Sequence, residues 1–293
     1  MAKCGIRLLR LSHKLLAAEK EPSGDEWISA MKIALRAVGT LAIGLLIFLT
    51  YAGYFDESVM VDVSATARPI PERNRLVAIY VSGDVGYRVA LGGEIGRQLA
   101  ADGIPVIGIN SLGFFRFHRT VAEVTRLVSE AIRRALASGH ADQVVLIGHS
   151  LGADALQAGL IDLPHELRSK VRAVVLVVPT DALYLQITPG EMLDWSEPDA
   201  STFPTLQQLT WAPLTCIYGK METDSPCLRL SMPNVRTISL PGGHQLEWDT
   251  NAIHSALLGA INAASYSNIT KISGRDHQTA IPAGPQGYHS EAG

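Results

Sequence analysis

Six short apolar runs alternate along the chain with segments of helical periodicity. Their β-branched and nearly continuous apolar composition is typical of strands that are covered on both faces. The predicted strands lie at residues 75–82, 105–110, 143–148, 171–178, 213–219 and 235–240. The predicted helices lie at residues 90–102, 121–135, 151–160 and 250–263. This alternation predicts an α/β fold over residues 74–264, with a mostly parallel sheet and helices on both faces.

The third predicted strand runs directly into a helix through the sequence GHSLG, with Ser150 at its centre. In a GxSxG motif at such a turn, the serine hydroxyl is exposed at the end of the sheet. The flanking Gly148 and Gly152 remove side chains that would otherwise collide. A serine at the start of a helix also lies close to free N–H groups, which can hold a developing oxyanion. The motif therefore predicts Ser150 as the nucleophile of an α/β-hydrolase fold.

A serine nucleophile needs a base, and the base needs an orienting carboxylate. In α/β-hydrolases these follow the serine in the order acid, then histidine. His244 lies in a glycine-rich loop directly after the last predicted strand, and it is the predicted base. The loop after the preceding strand carries two acids, Glu222 and Asp224. We predict Asp224 as the acid, with Glu222 as the runner-up and Asp181, one strand earlier, as a third option.

The loop after the first predicted strand reads VSGDVGY. In this fold that loop supplies the second donor of the oxyanion hole, so the backbone N–H of Asp84 is predicted to act together with that of Leu151. The Asp84 carboxylate would be unfavourable beside a developing negative charge, unless it points away to receive a cationic group of the substrate.

Residues 37–55 form a run of nineteen residues without a charge. As a helix this run would be about 28 Å long, close to the hydrocarbon thickness of a bilayer, which favours a transmembrane helix over a buried core helix. Seven basic and four acidic residues precede it, whereas acidic residues follow it. The positive-inside rule then leaves residues 1–36 in the cytoplasm and the rest across the membrane. The long segment before the run favours an uncleaved signal anchor over a signal peptide cleaved near Ala52.

The remaining segments have weaker patterns. Residues 56–73 are predicted to be a linker. Residues 180–211 lack a clean period, which predicts a lid or substrate wall, or else a pair of short helices. Residues 265–293 contain few apolar side chains and are predicted to be a disordered tail.

Charge and cysteine content exclude several classes of function. The net charge is −3 and the basic residues are scattered, so nucleic acid is not an expected partner. Three cysteines, Cys4, Cys216 and Cys227, lack the spacing of a zinc site, and neither a metal nor another cofactor is expected. Cys216 and Cys227 either pair in an oxidising compartment or remain buried free thiols.

Five segments, in this order along the chain, resemble the family of the bacterial virulence protein VirJ and the related AcvB domain. They are VSGDVGY, GIPVIGINSLGFFRFHRT, VVLIGHSLGAD, IYGKMETDSPC and LPGGHQLEWD. The resemblance extends over residues 75–264. It implies an α/β-hydrolase fold with Ser150 as nucleophile, Asp224 as acid and His244 as base.

Three positions depart from the pattern of that family. The oxyanion loop of the family usually has two glycines and a tryptophan, whereas this chain has Val85 and Tyr87. The nucleophile of the family is commonly followed by Phe, and here Leu151 stands in its place. The details of the oxyanion loop and of the substrate wall therefore do not follow from the resemblance.

The resemblance also implies a function. Members of the family act in the periplasm, and AcvB-like members are associated with hydrolysis of aminoacylated phosphatidylglycerol, typically lysyl-phosphatidylglycerol. We therefore expect a single-pass protein of the bacterial inner membrane with a periplasmic serine esterase domain and this phospholipid as its partner. Asp84, Glu247 and Asp249 are candidates to attract the lysyl ammonium. The alternatives are a non-catalytic adaptor for secretion-system proteins, and an esterase or lipase for another carboxylester.

Overall fold

A computed structural model describes residues 24–138, 141–192 and 195–276. The chain divides into two compact units, the first ending at Leu49 and the second beginning at Thr50. Nine helices occur in these described ranges: α1 (Gly24–Tyr51), α2 (Leu91–Ala101), α3 (Ser111–Phe114), α4 (Val121–Ala137), α5 (Leu151–Gly159), α6 (His165–Arg168), α7 (Pro189–Met192), α8 (Phe203–Leu206) and α9 (Thr250–Asp276). Short 3-10 turns lie at Pro71–Arg73, Pro226–Arg229 and Leu246–Trp248.

Helix α1 is the apolar helix of the N-terminal region. Its residues Trp27–Tyr51 are long and apolar enough to cross a membrane, and none of the most apolar stretch is buried. Such a helix near an N-terminus is typical of a membrane anchor and equally of a signal sequence. The predicted bounds of 37–55 are corrected, because the helix begins at Gly24 and ends at Tyr51, just before Gly53 adopts a left-handed φ of 78°. The predicted cytoplasmic segment lies outside the described residues up to residue 23.

The described part of the second unit contains one sheet of seven strands: β1 (Met60–Val63), β2 (Leu76–Val81), β3 (Val106–Ile109), β4 (Gln143–His149), β5 (Val171–Val177), β6 (Leu214–Gly219) and β7 (Val235–Leu240). Their spatial order is β1-β3-β2-β4-β5-β6-β7. All neighbours are parallel except β1, which pairs antiparallel with β3. The parallel strands therefore all end at one edge, the carboxyl edge, where an α/β sheet carries its functional site.

Side chains of the sheet alternate between two apolar layers. Along β2, Val77, Ile79 and Val81 face the layer formed with α4 and α5. The intervening Leu76, Ala78 and Tyr80 face the layer formed with α2 and α9. This arrangement of two covered faces is what the continuous apolar runs predict, and it confirms the α/β prediction.

Two predicted boundaries are wrong. The predicted linker at 56–73 contains strand β1, which pairs with β3 over four residues. Strand β1 has only four residues and pairs with one neighbouring strand. It therefore lacks the long apolar run by which the other strands were predicted. The start of the predicted disordered tail at residue 265 is also wrong, because α9 continues to Asp276. Residues 277–293 lie outside the described part of the chain.

The irregular segment 180–211 contains the two short helices α7 and α8, as one of the two sequence interpretations expects. Leu183 and Ala200 form an isolated antiparallel bridge outside the sheet, so the two ends of the segment between them lie side by side. The base of this excursion is fixed by Asp154 of α5, whose carboxylate accepts hydrogen bonds from the N–H and the hydroxyl of Thr180, at 2.8 and 2.7 Å.

Cys216 and Cys227 form a disulfide, with their Cα atoms 5.6 Å apart. Cys216 lies on β6 and Cys227 in the following 3-10 turn, and both are buried. The bond closes the loop that carries Glu222 and Asp224. Of the two states left open by the sequence, the disulfide is the one observed.

Closing a loop of this length should stabilise the folded second unit by about 3 kcal/mol. We expect urea unfolding of the detergent-solubilised chain to shift to lower urea in reducing buffer. A Cys216→Ala/Cys227→Ala variant should unfold at the lower midpoint and should not respond to reductant. Equal midpoints for the native chain in both buffers would contradict this prediction.

Candidate active site

Ser150 follows the last residue of β4 and directly precedes α5, at the centre of the carboxyl edge. Its backbone has φ 53° and ψ −127°, a strained conformation for a residue with a side chain. A Cβ on Gly152 would lie 2.3 Å from the carbonyl oxygen of Ser82, and one on Gly148 would lie 2.6 Å from Cα of Ala153. Both positions therefore require glycine for α5 to pack this closely against the sheet. The strand, turn and helix predicted from the GxSxG motif are present.

The Ser150 hydroxyl is 2.9 Å from Nε2 of His244. On the other side of the ring, Nδ1 is 3.0 Å from Oε1 of Glu222. In the tautomer with its proton on Nδ1, the imidazole donates to the carboxylate and accepts from the serine. This is the hydrogen-bonded sequence that lets an imidazole remove a proton from a hydroxyl.

The carboxylate beside His244 belongs to Glu222, and the choice of Asp224 is corrected. The Glu222 side chain is only 10% exposed, and its Oε2 accepts the N–H of Gly219 at 2.7 Å. Asp224 is exposed further along the loop, where it lines a cavity of about 710 Å³ together with Glu222 and His244. The third option, Asp181, has other hydrogen-bond partners. Its carboxylate accepts hydrogen bonds from Arg229, from the Ser201 hydroxyl and from the N–H of Phe203, at 2.5, 2.6 and 3.1 Å.

The His244 loop lies close to the end of β6. A Cβ on Gly219 would be 2.3 Å from the carbonyl oxygen of Gly243, and Gly242 has a left-handed φ of 86°. The glycine-rich sequence around His244 thus allows the loop to pass directly over the strand end that holds Glu222. This close passage brings the imidazole between the acid and the serine.

The predicted oxyanion loop borders the nucleophile. A cavity of about 150 Å³ is lined by Asp84, Ser150 and His244, among others. Within the described part of the chain, no hydrogen bond occupies the N–H of Asp84 or of Leu151. That these two N–H groups form the oxyanion hole stays a prediction. The buried Asn110 holds the loop, because its Oδ1 accepts the N–H of Tyr87 at 3.1 Å.

Burial shifts the pKa values of several side chains around the site. Burial, and next the charge of His244, lower the pKa of His149 to about 4, so this ring stays neutral at pH 7. Burial, and next the charge of Asp84, raise the pKa of Glu191 to about 7. Burial also raises the pKa of Asp154, although its bonds from Thr180 act in the opposite direction. Asp84, which lines a cavity together with Ser150, therefore lies near a second carboxyl group, that of Glu191.

The sequence also matches a known protein family. The sequence profile of the family described as bacterial virulence protein (VirJ) matches residues 75–265. The chain belongs to the VirJ family. None of the curated proteins matches the chain.

Solved structures share the fold of this VirJ-family domain. The α/β-hydrolase GrgF from Penicillium sp. sh18 has a TM-score of 0.52 and 12% identity, covering 71% of this chain and 98% of its own. MenH from S. aureus has a TM-score of 0.51 and 11% identity, covering 71% and 99%. A proline iminopeptidase from Mycobacterium smegmatis has a TM-score of 0.50 and 11% identity, covering 71% and 95%. At these identities the likeness shows the fold alone, and it confirms the α/β-hydrolase prediction.

Three residues near the site of this VirJ-family domain escaped the sequence analysis. Asp154 could have been recognised from the sequence as a candidate, since it is a lone acid within the apolar helix directly after Ser150. Asn110 could have been recognised in the same way, as a polar residue at the end of a buried strand. Glu191 could not, because it lies in a segment without periodicity.

The other candidate acids have different places. Asp249 accepts the N–H groups of Asn251 and Ala252, both at 3.0 Å, at the start of α9, and Glu247 is exposed. Neither is brought to the nucleophile in the way that Asp84 is. Within the described residues, no group of three His, Cys, Asp or Glu side chains is arranged to hold a metal ion.

The roles of the two acids can be separated by the reactivity of Ser150 toward a fluorophosphonate probe. Glu222→Gln should lower the labelling rate by at least about a hundredfold, since the imidazole loses the carboxylate that orients it. The matched Asp224→Asn should leave the rate within about twofold, as expected for an exposed loop charge. A larger loss in Asp224→Asn than in Glu222→Gln would contradict the assignment.

Proposed function

We propose that this VirJ-family chain is a serine hydrolase that cleaves the aminoacyl ester of an aminoacylated phosphatidylglycerol of the lysyl type. The observation that carries the proposal is the unbroken series of contacts from Glu222 through His244 to Ser150, at 3.0 and 2.9 Å. A domain that serves only for docking needs none of these contacts.

The contacts support a two-step mechanism. Ser150 Oγ attacks the ester carbonyl carbon while His244 Nε2 takes the hydroxyl proton. The N–H groups of Asp84 and Leu151 hold the resulting oxyanion. When the tetrahedral intermediate collapses, the bond to the glycerol oxygen breaks, and His244 returns its proton to that oxygen. Water then attacks the aminoacyl-serine ester with His244 again as base, which releases the free amino acid and regenerates the hydroxyl.

The carboxyl groups near the nucleophile favour a cationic acyl group. Asp84 lines the same cavity as Ser150, and its charge acts on Glu191. Oε2 of Glu191 is buried, and none of the described residues provides it with a hydrogen-bond partner. An ammonium group would supply that partner and offset the repulsion between the two carboxylates. A lysyl ester carries two ammonium groups, which is why we favour it over an ester of a neutral acid.

The proposed location is the periplasmic face of the inner membrane. Helix α1 is long enough to anchor the chain, and the acidic residues after it agree with translocation of the domain. A tethered enzyme reaches a lipid of its own membrane by a two-dimensional search, at a high effective concentration.

The reaction can be tested with the full chain in liposomes that contain lysyl-phosphatidylglycerol. The native chain should release free lysine, and Ser150→Ala should abolish the release because the nucleophile is gone. Ser138→Ala is a control, since Ser138 lies at the end of α4 and away from the site. Release by Ser150→Ala would reject the nucleophile, whereas an inactive native chain that still reacts with the fluorophosphonate probe would indicate a different ester.

Glu191 generates a prediction about pH. Because its pKa is raised to about 7, the carboxyl becomes charged as the pH rises through neutrality, and attraction for an ammonium group grows in the same direction. KM for the lysyl lipid should therefore fall between pH 6 and pH 8, the range that brackets this pKa. Glu191→Gln should remove this fall in KM, while the pH dependence of kcat remains. An unchanged KM profile in Glu191→Gln would exclude Glu191 from substrate binding.

A further inference from the structure

Large apolar side chains are exposed on the connections that leave the carboxyl edge of the sheet. Six exposed large apolar side chains occur in the described part of the chain after residue 56: Ile70, Phe117, Trp195, Met221, Leu228 and Trp248. Five of them lie on connections that leave the carboxyl edge after β3, β5, β6 and β7, and four of these five are more than half exposed: Phe117, Trp195, Met221 and Trp248. We call these four residues the apolar rim. They are between 57% and 80% exposed. Single exposed apolar residues are ordinary, but several of them on the connections of one sheet edge indicate an interaction surface.

Trp248 is exposed at the cost of backbone strain. Leu246, Glu247 and Trp248 have φ values of 48°, 53° and 58°, three consecutive left-handed residues with side chains. The turn buries Leu246 and leaves Trp248 exposed at the mouth of the cavity that Ser150 lines. A conformation of this kind persists only where the surrounding structure maintains it. The surrounding structure therefore holds Trp248 in an exposed position at the edge that carries Ser150.

The chain also enters the second unit at this edge. Nδ2 of Asn110, the residue after β3, donates to the carbonyl oxygens of Ala52 and Gly53 at 2.9 and 3.2 Å. Arg116 donates to the carbonyl oxygen of Tyr54 at 2.5 Å, and Arg88 pairs with Asp56 at 2.7 Å. The first residues after α1 are thus fixed to the carboxyl edge. The same Asn110 side chain holds the oxyanion loop through Tyr87.

These two observations identify the occupant of the apolar rim. An apolar helix long enough to span a bilayer leads into the domain at the edge where the rim lies. Tryptophan and other large apolar side chains are favoured at the interface between lipid and water. We infer that the carboxyl edge of this domain lies against the bilayer, with the apolar rim inserted among the lipids and the mouth of the active site facing them. This inference rests on the proposed function only for its lipid substrate.

Quenching by brominated phosphatidylcholine tests the contact without any activity. The full chain has four tryptophans, of which Trp27 lies in α1 and Trp211 is half-buried beneath Arg168. In proteoliposomes, Trp195→Phe and Trp248→Phe should each remove roughly a third of the quenchable fluorescence, if three tryptophans contact lipid. The control Trp211→Phe should remove none. A loss at either rim tryptophan supports the inference, and the absence of a loss at both overturns it.

Activity provides a second test with a different point of failure. Phe117→Ser combined with Trp195→Ser should lower hydrolysis of the vesicle lipid by about tenfold or more, because each lost aromatic weakens insertion. Hydrolysis of a water-soluble lysyl ester should change by less than about twofold, since neither residue borders the nucleophile. Ile70→Ser, at the opposite edge of the sheet, is the matched control. Equal losses on both substrates, or a loss in the control alone, would overturn the inference. If even the native chain leaves the lipid intact, the proposed function fails, while the quenching result still decides the inference.

Discussion

The left-handed backbone of Ser150 is the constraint on which the rest of the site depends. A residue with a side chain in this conformation costs about 1–3 kcal/mol, so the surrounding structure must maintain it. The N–H of Ser150 donates to Val177 O of β5 at 2.9 Å, and its carbonyl accepts from Ala153 and Asp154 at 2.7 and 3.1 Å. The neighbouring strand and the following helix thus hold this residue from both sides. In this position its hydroxyl contacts Nε2 of His244 at 2.9 Å.

The order of the strands then determines what the other loops must do. Ser150 follows β4 and His244 follows β7, three positions away in the sheet, which is roughly 14 Å at the usual spacing of strands. The histidine loop has to cross the ends of β5 and β6 to reach the serine. Gly219 and Gly243 allow that crossing, because no side chain separates the loop from β6. The disulfide closes the loop that carries Glu222, and Glu222 accepts the N–H of Gly219 at the end of β6. Glu222 and His244 are therefore positioned by the same strand end.

The features that could be predicted from the sequence are those in which a local pattern of residues determines one local structure. Strands covered on both faces give continuous apolar runs, and a serine between glycines permits one kind of turn. Strand β1 was missed because it is short and lies at the edge, where a single neighbour pairs with it. The contact with the His244 ring was expected from Asp224 but comes from Glu222. The two acids lie two positions apart, and only the path of the loop decides which one faces the ring. Glu191 was missed because its position depends on a segment without periodicity.

Under the proposed function, Asp84 would let the site discriminate between esters, because it lines the same cavity as Ser150. In the proposed mechanism its backbone N–H holds the oxyanion. Oδ1 of its side chain accepts the N–H of Val85 at 3.0 Å. A carboxylate this near the reacting oxygen opposes the negative charge that develops there, and ionised Glu191 adds to that opposition. A neutral ester would meet the full repulsion in the transition state. An ester whose acyl group carries an ammonium neutralises one carboxylate as it binds, so the same acidic groups that slow other substrates become its binding site.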